Sequence, residues 1–267
     1  MSIVTLDQFK EHLNNLNESG NFSFGFNWFD YVKTRLNEEI IEKHKQNLER
    51  LYSSINIDIQ GKSVLDIGCG SGLSSLSFAK LGASKLTSFD IDEYSVQATA
   101  LTKQKFFFNE IDWEIKKASI LEQTEIQQHD FVYSWGVLHH TGDMWKAIKN
   151  AAAYVKSGGY FHIALYRSGP SFPRHLAEKQ KFASLDRDDK IKMLYEYMLR
   201  NHGRNILSKD TDERGMNIFH DALDWLGGLP YEVCDPKQLV SFLPDFSSVY
   251  FKDWNEGGNF IMILKKN

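Results

Sequence analysis

The chain has 267 residues, 42% of them hydrophobic and 25% charged, ordinary proportions for a soluble globular protein able to bury a core without disulfides or structural metal. Its net charge of -4 argues against a general nucleic-acid binder, which carries a basic face. The two cysteines, Cys69 and Cys234, make neither a disulfide framework nor a zinc spacing, and neither a basic-then-apolar leader nor a membrane-length apolar run stands in the sequence, so a cytoplasmic protein without a membrane partner is expected.

Taken in chain order, residues 5–17 read as an amphipathic helix, with Leu6, Phe9, Leu13 and Leu16 on one face. The aromatic-rich stretch Phe22–Phe29 is expected to interrupt regular structure. A longer helix then runs to about Tyr52, with Leu36, Ile40, His44, Leu48 and Leu51 at helical spacing. From Gly61 strands and helices alternate. Strands are predicted at Ser63–Ile67, Lys85–Asp90, Trp113–Lys117, Asp130–Ser134 and Tyr160–Tyr166, and helices at Leu73–Leu81, Glu93–Phe107 (capped by Asp92) and Met144–Val155. That alternation implies right-handed crossovers and a mainly parallel sheet.

Residues 167–230 break the rhythm, with helices around 187–201 and 217–226, and read as an insertion. The chain returns to type with a helix at Pro236–Phe242 and strands at Ser247–Trp254 and Asn259–Leu264 about a Gly-Gly turn, an antiparallel hairpin. The expected fold is α/β: a Rossmann-like, doubly wound, mainly parallel seven-stranded sheet with a C-terminal hairpin. Its parts would be a helical lid (1–55), a cofactor-binding core (56–166), a substrate cover (167–230) and a closing helix and hairpin (231–267).

The most informative segment is Val64-Leu-Asp-Ile-Gly-Cys-Gly-Ser-Gly72. A glycine turn between a first strand and its helix lets backbone approach a ligand at the helix N-terminus. An acidic residue ending the second strand can bind a ribose diol, and Asp90 stands there. The spacing is G-x-G-x-G and misses the dinucleotide pattern G-x-G-x-x-G. Asp66, just before the loop, would repel a pyrophosphate and tolerate a cofactor carrying a sulfonium.

VLDIGCGSG, SFDID, HDFVYSWGVLHH and VKSGGYFHIALY, in this order, resemble the motif series of class I S-adenosylmethionine-dependent methyltransferases, and most closely bacterial small-molecule members related to the ubiquinone-pathway O-methyltransferases. The resemblance covers roughly residues 60–166 and implies S-adenosylmethionine as cofactor and S-adenosylhomocysteine as product. It places Gly68, Cys69, Gly70 and Gly72 in the cradle for the methionine part, with Asp66 ordering the loop. Asp90 would take the ribose hydroxyls and Ile91 the adenine. Ser119 and Ile120 would adjoin the adenine, Ser119 standing where relatives carry an acidic residue. Ser134 and Trp135 would line the methionine side, and Phe24, Asn27 and Trp28 would form a lid.

On the acceptor side, His140 is expected as general base, with His139 second and Tyr166 as a weaker alternative. Relatives with a metal carry E-x-x-E-H; the matching residues here are Gly136, His139 and His140, so no metal is expected. Between 167 and 209 ten Lys and Arg stand against five Asp and Glu. Arg167 and Arg214 are the preferred contacts for an anionic acceptor, and the Asp224-Trp-Leu-Gly-Gly-Leu-Pro-Tyr-Glu232 stretch is shared with a subgroup of bacterial methyltransferases. The expected reaction is O-methylation of a small polar metabolite, such as a sugar nucleotide or phosphorylated precursor. The alternatives are N- or C-methylation of a small molecule, or a non-catalytic cofactor-binding regulatory subunit.

Overall fold

The computed structural model describes residues 24–107, 111–122, 127–203, 218–254 and 258–267; the helix expected at 5–17 and the hairpin's Gly-Gly turn at 257–258 lie wholly or partly outside them. The chain opens with helices α1 (Phe24–Thr34) and α2 (Glu38–Ser54). There follow β1 (Ser63–Ile67), α3 (Leu73–Lys80), β2 (Lys85–Asp90), α4 (Glu93–Phe106), β3 (Asp112–Lys117) and β4 (His129–Trp135). A single 3₁₀ turn (Leu138–His140) leads to α5 (Met144–Ala153) and the long β5 (Val155–Tyr166). The cover contains α6 (Phe172–Ser184), α7 (Arg187–His202) and α8 (Ile218–Gly227), before α9 (Pro236–Phe242), β6 (Phe246–Asp253) and β7 (Asn259–Lys266).

The seven strands form one sheet in the order β3-β2-β1-β4-β5-β7-β6. The first five are parallel, while β7 inserts antiparallel between β5 and β6. The expected sheet and closing hairpin are therefore present. Strand order reverses between β1 and β4, so the carboxyl ends of these strands flank the crevice where doubly wound folds bind ligands.

Central strands are buried on both faces and read as apolar runs. One face carries Val64, Phe78, Phe131 and Tyr133 with α2 and α3; the other carries Leu65, Val132, Ile148, Phe161 and Leu239 with α5 and α9. A third cluster, including Phe182, Leu194, Phe219 and Leu223, holds α6, α7 and α8 together. Helix starts follow their caps: Asn37, Asp92, Asp143, Asp186 and Asp235 each accept a hydrogen bond from a first-turn N–H. Among the described residues no helix is long and apolar enough to cross a membrane.

Three elements differ from the sequence reading. The aromatic stretch is not irregular: it starts α1, whose buried Gly25, Asn27, Tyr31 and Val32 fall at helical spacing. The helix predicted to reach Val155 stops at Ala153, because Val155 already pairs with His129 and opens β5. The cover also holds an additional helix, α6, with a proline in its first turn.

Candidate active site

The loop after β1 reverses tightly. Gly68, Gly70 and Gly72 all have positive φ, at 73°, 51° and 74°, a region glycine enters without Cβ strain. A Cβ on Gly72 would lie 2.9 Å from Thr99 Cα on α4, so space as well as conformation demands glycine. Gly72→Ala is expected to destabilise the protein by at least ~1–2 kcal/mol, the cost of a left-handed non-glycine residue, read as a lower urea midpoint. An unchanged midpoint would contradict this packing.

The loop's hydrogen bonds run to β2. Gly68 and Cys69 N–H groups both donate to the Phe89 carbonyl, at 2.8 and 3.1 Å, and Gly70 N–H donates to Asp90 Oδ2 at 3.1 Å. Asp90 Oδ1 accepts from Asp92 N–H at 2.9 Å. Burial pushes this carboxyl up to about 6, so it is ionised at neutral pH, with further lone pairs for hydroxyl donors. Asp66, in β1, reaches the first turn of the helix that follows the loop. Its Oδ2 accepts from Ser75 Oγ on α3, and burial pushes it up to about 7.

The other predicted cofactor residues separate into two sets. Ile91 is 67% exposed, an uncovered apolar side chain immediately beyond Asp90. Trp28 of α1 lies over the loop, its indole 3.2 Å from where a Gly70 Cβ would be, and Gly25 N–H donates to Asp92 Oδ2 at 3.3 Å. Phe24 meets the His140 ring at 5.3 Å between centroids. Ile91 thus stands beside Asp90, Trp28 over the loop and Phe24 against His140. Asn27, by contrast, is buried with its Nδ2 donating to the His220 carbonyl of α8 at 3.0 Å; it joins α1 to α8. Trp135 packs on Tyr133, His162 and Trp254, on the aromatic face of the sheet. Ser134 is buried and bonds the Ile67 carbonyl at 3.3 Å. Ser119 Oγ accepts from Leu121 N–H, and the Ile120 carbonyl accepts from Asn150 Nδ2 at 2.7 Å. Cys69 is buried, with its thiol pushed up by burial.

The two histidines are distinguished by their partners. His140 Nδ1 lies 2.6 Å from the Pro230 carbonyl. A carbonyl only accepts, so Nδ1 carries the proton and Nε2 of the neutral ring carries the lone pair. His139 is the reverse: Nδ1 accepts the Tyr166 N–H at 3.2 Å, so the proton sits on Nε2. That nitrogen is buried and meets no hydrogen-bond partner among the described residues. Burial holds both imidazoles neutral, His139 well below its ordinary range and His140 at about 3, with the charge of Lys179 adding to the effect. The two rings thus present opposite nitrogens as lone pairs, Nε2 in His140 and Nδ1 in His139. Tyr166 supplies its backbone N–H and a ring 4.0 Å from His139.

Of the two predicted anion contacts, Arg167 pairs with Asp253 across the end of the sheet, and Arg214 lies outside the described residues. The buried cation on this side is instead Lys179 of α6, one of the ten Lys and Arg between 167 and 209 and not one nominated from the sequence. It is 0% exposed, donates to the Trp225 carbonyl, and lies over the rings of Trp225, Tyr231 and Tyr166 at 4.2, 4.9 and 5.9 Å. Its neighbours Trp225, Gly228 and Tyr231 all belong to the Asp224–Glu232 stretch. The stretch was visible in the sequence; its partner on another helix was not. Among the described residues no group of three His, Cys, Asp or Glu side chains is arranged to hold a metal.

Comparison with known proteins agrees with this geometry. Residues 34–220 match the family model described as a methyltransferase domain. A ribosomal protein L11 methyltransferase of Oceanobacillus iheyensis is 35% identical over 101 residues, 38% of this chain and 30% of that protein. A ubiquinone biosynthesis O-methyltransferase of Coxiella burnetii is 35% identical over 117 residues, 43% of this chain and 49% of that protein. The matched stretches thus span half or less of the length of these curated relatives. In fold, the magnesium protoporphyrin IX methyltransferase of Synechocystis, crystallised with bound SAH, superposes with a TM-score of 0.56 at 15% identity, covering 91% of this chain and 94% of that one. With the family match extending over well more than half of its length and the sheet order in agreement, the chain belongs to the methyltransferase-domain family.

Proposed function

We propose that this protein is an S-adenosylmethionine-dependent methyltransferase that O-methylates a small polar metabolite such as a sugar nucleotide or another phosphorylated precursor. The observation that carries this reading is the glycine loop beside an ionised Asp90, at the point where strand order reverses. The residues present fit the cofactor. A Cβ on Gly136 would meet nothing within 4 Å, leaving open space at the end of β4 beside the loop. Asp90 offers acceptors to a ribose diol, the exposed Ile91 offers an apolar face to a base, and Trp28 lies over the glycines. When bound, S-adenosylmethionine supplies a methyl group already activated on a sulfonium.

The protein's own work is then orientation and proton handling. His140 Nε2 accepts the proton of the acceptor hydroxyl. An alcohol oxygen becomes strongly acidic only as it acquires the new carbon, so an imidazole held at about 3 suffices if the proton moves late, and it is never blocked by a proton at neutral pH. Pro230 keeps the lone pair on the correct nitrogen. The aromatic cover and α1 exclude water, which protects an activated methyl from hydrolysis.

Because Gly136 replaces the first carboxylate of the metal-binding relatives' pattern and His139 the second, turnover is expected to persist in excess EDTA. Loss of turnover in EDTA that magnesium restores would contradict this. Turnover is to be scored as S-adenosylhomocysteine formed with a panel of phosphorylated sugars, sugar nucleotides and phenols. Hydroxyl methylation of one of them supports the reading, and exclusive amine methylation overturns the O-methylation part of it.

A further inference from the structure

Lys179 has no part in the chemistry above, yet its placement is costly. Removing an ammonium from water disfavours the charged form strongly unless something offsets it. Here a carbonyl and three aromatic faces offset only part of it: Trp225, Tyr231 and Tyr166 surround the head group, and the cation–π contacts are strongest where water is excluded. Among the described residues its one hydrogen-bond acceptor is the Trp225 carbonyl, while an ammonium has three donors. The box reaches solvent at Tyr166, Trp225 and His175, all half-buried, and Tyr166 is 5.5 Å from the His140 ring.

Gly228 shows how closely the cation adjoins the histidine. Its φ is not positive, so backbone conformation does not demand glycine. A Cβ there would instead lie 2.9 Å from His140 Cε1 and 3.3 Å from Lys179 Nζ. The ammonium and the imidazole therefore border one point that only a residue without a side chain leaves clear.

We propose that Lys179 is the specificity-determining cation of the acceptor site: it receives an oxyanion, carboxylate or phosphate, carried on a ring-shaped acceptor whose flat face lies against Tyr166 and Trp225 and whose hydroxyl then reaches His140. This rests on the methyltransferase reading and deepens it. An anion beside the ammonium supplies the acceptors its remaining protons lack, and the aromatic walls suit a flat ring. The arginines that the sequence nominated for this role are paired elsewhere or lie outside the described residues.

Burial holds Lys179 at about 7, with Asp224 and Glu178 opposing that shift. The other titratable groups around the box, His139, His140, His175 and Tyr231, are neutral at pH 7. A lysine whose folded value lies below its ordinary 10.5 destabilises the fold fully below about pH 7, and this cost vanishes as pH rises towards 10.5. Lys179→Met keeps the apolar stem and removes the charge. It is expected to melt no lower than wild type at pH 6, with any gain in Tm shrinking as pH rises from 7 to 10. A lysine present only for structure would leave the variant less stable at every pH.

The binding test uses the full chain saturated with S-adenosylhomocysteine and three probes of similar size: benzoate, phenyl phosphate and the neutral benzyl alcohol. Calorimetry is expected to show at least one anion binding wild type tenfold or more tighter than benzyl alcohol, and which anion it is separates a carboxylate from a phosphate acceptor. Lys179→Met should lose that preference and Lys179→Arg should retain part of it; Lys179→Gln serves if the methionine variant does not fold. Equal anion affinity in wild type and the charge-free variant overturns the proposal, as does a wild type with no preference for either anion. Failure of S-adenosylhomocysteine itself to bind counts instead against the methyltransferase reading, and the anion titration is repeated without it.

Discussion

His140→Ala is expected to lower turnover by about 10²–10⁴-fold, the range for loss of a positioned general base, with S-adenosylhomocysteine affinity nearly unchanged. The expectation rests on one hydrogen bond: Nδ1 donates to the Pro230 carbonyl at 2.6 Å, which leaves the Nε2 lone pair for the acceptor's proton. His139→Ala should behave differently. Its ring is fully buried and receives the Tyr166 N–H, so its loss leaves a cavity and an unsatisfied donor, and it should lower Tm more than turnover per folded molecule. Gln at position 140 restores a hydrogen-bonding group but not a base, and should not rescue the rate. The pH profile carries a second test. With His140 held at about 3, protonation cannot remove the base until well below neutrality, so kcat should stay level from pH 8 to pH 5. Near-wild-type turnover in the alanine variant would show that this imidazole is not the base; an acid-side fall near pH 6.5 that is lost in His140→Ala would show instead that the imidazole keeps its ordinary basicity, while one that persists belongs to Asp66, Asp90 or Lys179.

Asp90→Ala should weaken S-adenosylhomocysteine binding more than any other single change at the cofactor crevice. Each charge-assisted hydrogen bond to a carboxylate contributes roughly 1.5–3 kcal/mol, and two ribose hydroxyls would lose about 10²–10⁴-fold in affinity together. The carboxylate also receives Gly70 and Asp92 N–H groups, so part of the loss comes from a slackened glycine loop. Asp90→Asn removes the charge but keeps one accepting oxygen, enough for one of the two backbone N–H groups of Gly70 and Asp92. An intermediate affinity for asparagine and a folded alanine variant with little affinity are the expected pair. Unchanged affinity in both would remove Asp90 from the site.

Much of this site was legible because its signals are local. The three glycines, Asp90 at the end of β2 and the histidine pair after β4 lie within short segments whose spacing reflects strand-turn-helix geometry. The alternating apolar strands likewise follow from burial on both faces. What stayed hidden depends on segments far apart in the chain. The helix α1 looked irregular because Gly25 and its aromatics are poor helix formers. They become a helix by packing on α4 and α8, where Gly25 sits against Asp92 and Asn27 bonds His220. Lys179 looked like any surface lysine, and nothing near it in sequence announces an aromatic box built from the end of β5, α8 and the segment after it. The choice between His139 and His140 could not be made from adjacent positions. It rests on which backbone group each Nδ1 meets, Tyr166 N–H or Pro230 carbonyl. Arg167 was a reasonable anion contact until β6 brought Asp253 against it.

The most direct test of the central claim is calorimetric titration of the wild-type protein with S-adenosylmethionine, S-adenosylhomocysteine and NAD under identical conditions. The G-x-G-x-G loop with Asp90 predicts low-micromolar binding of the two sulfur compounds at one site and no measurable heat from NAD. Binding of NAD more tightly than S-adenosylhomocysteine would contradict the assignment.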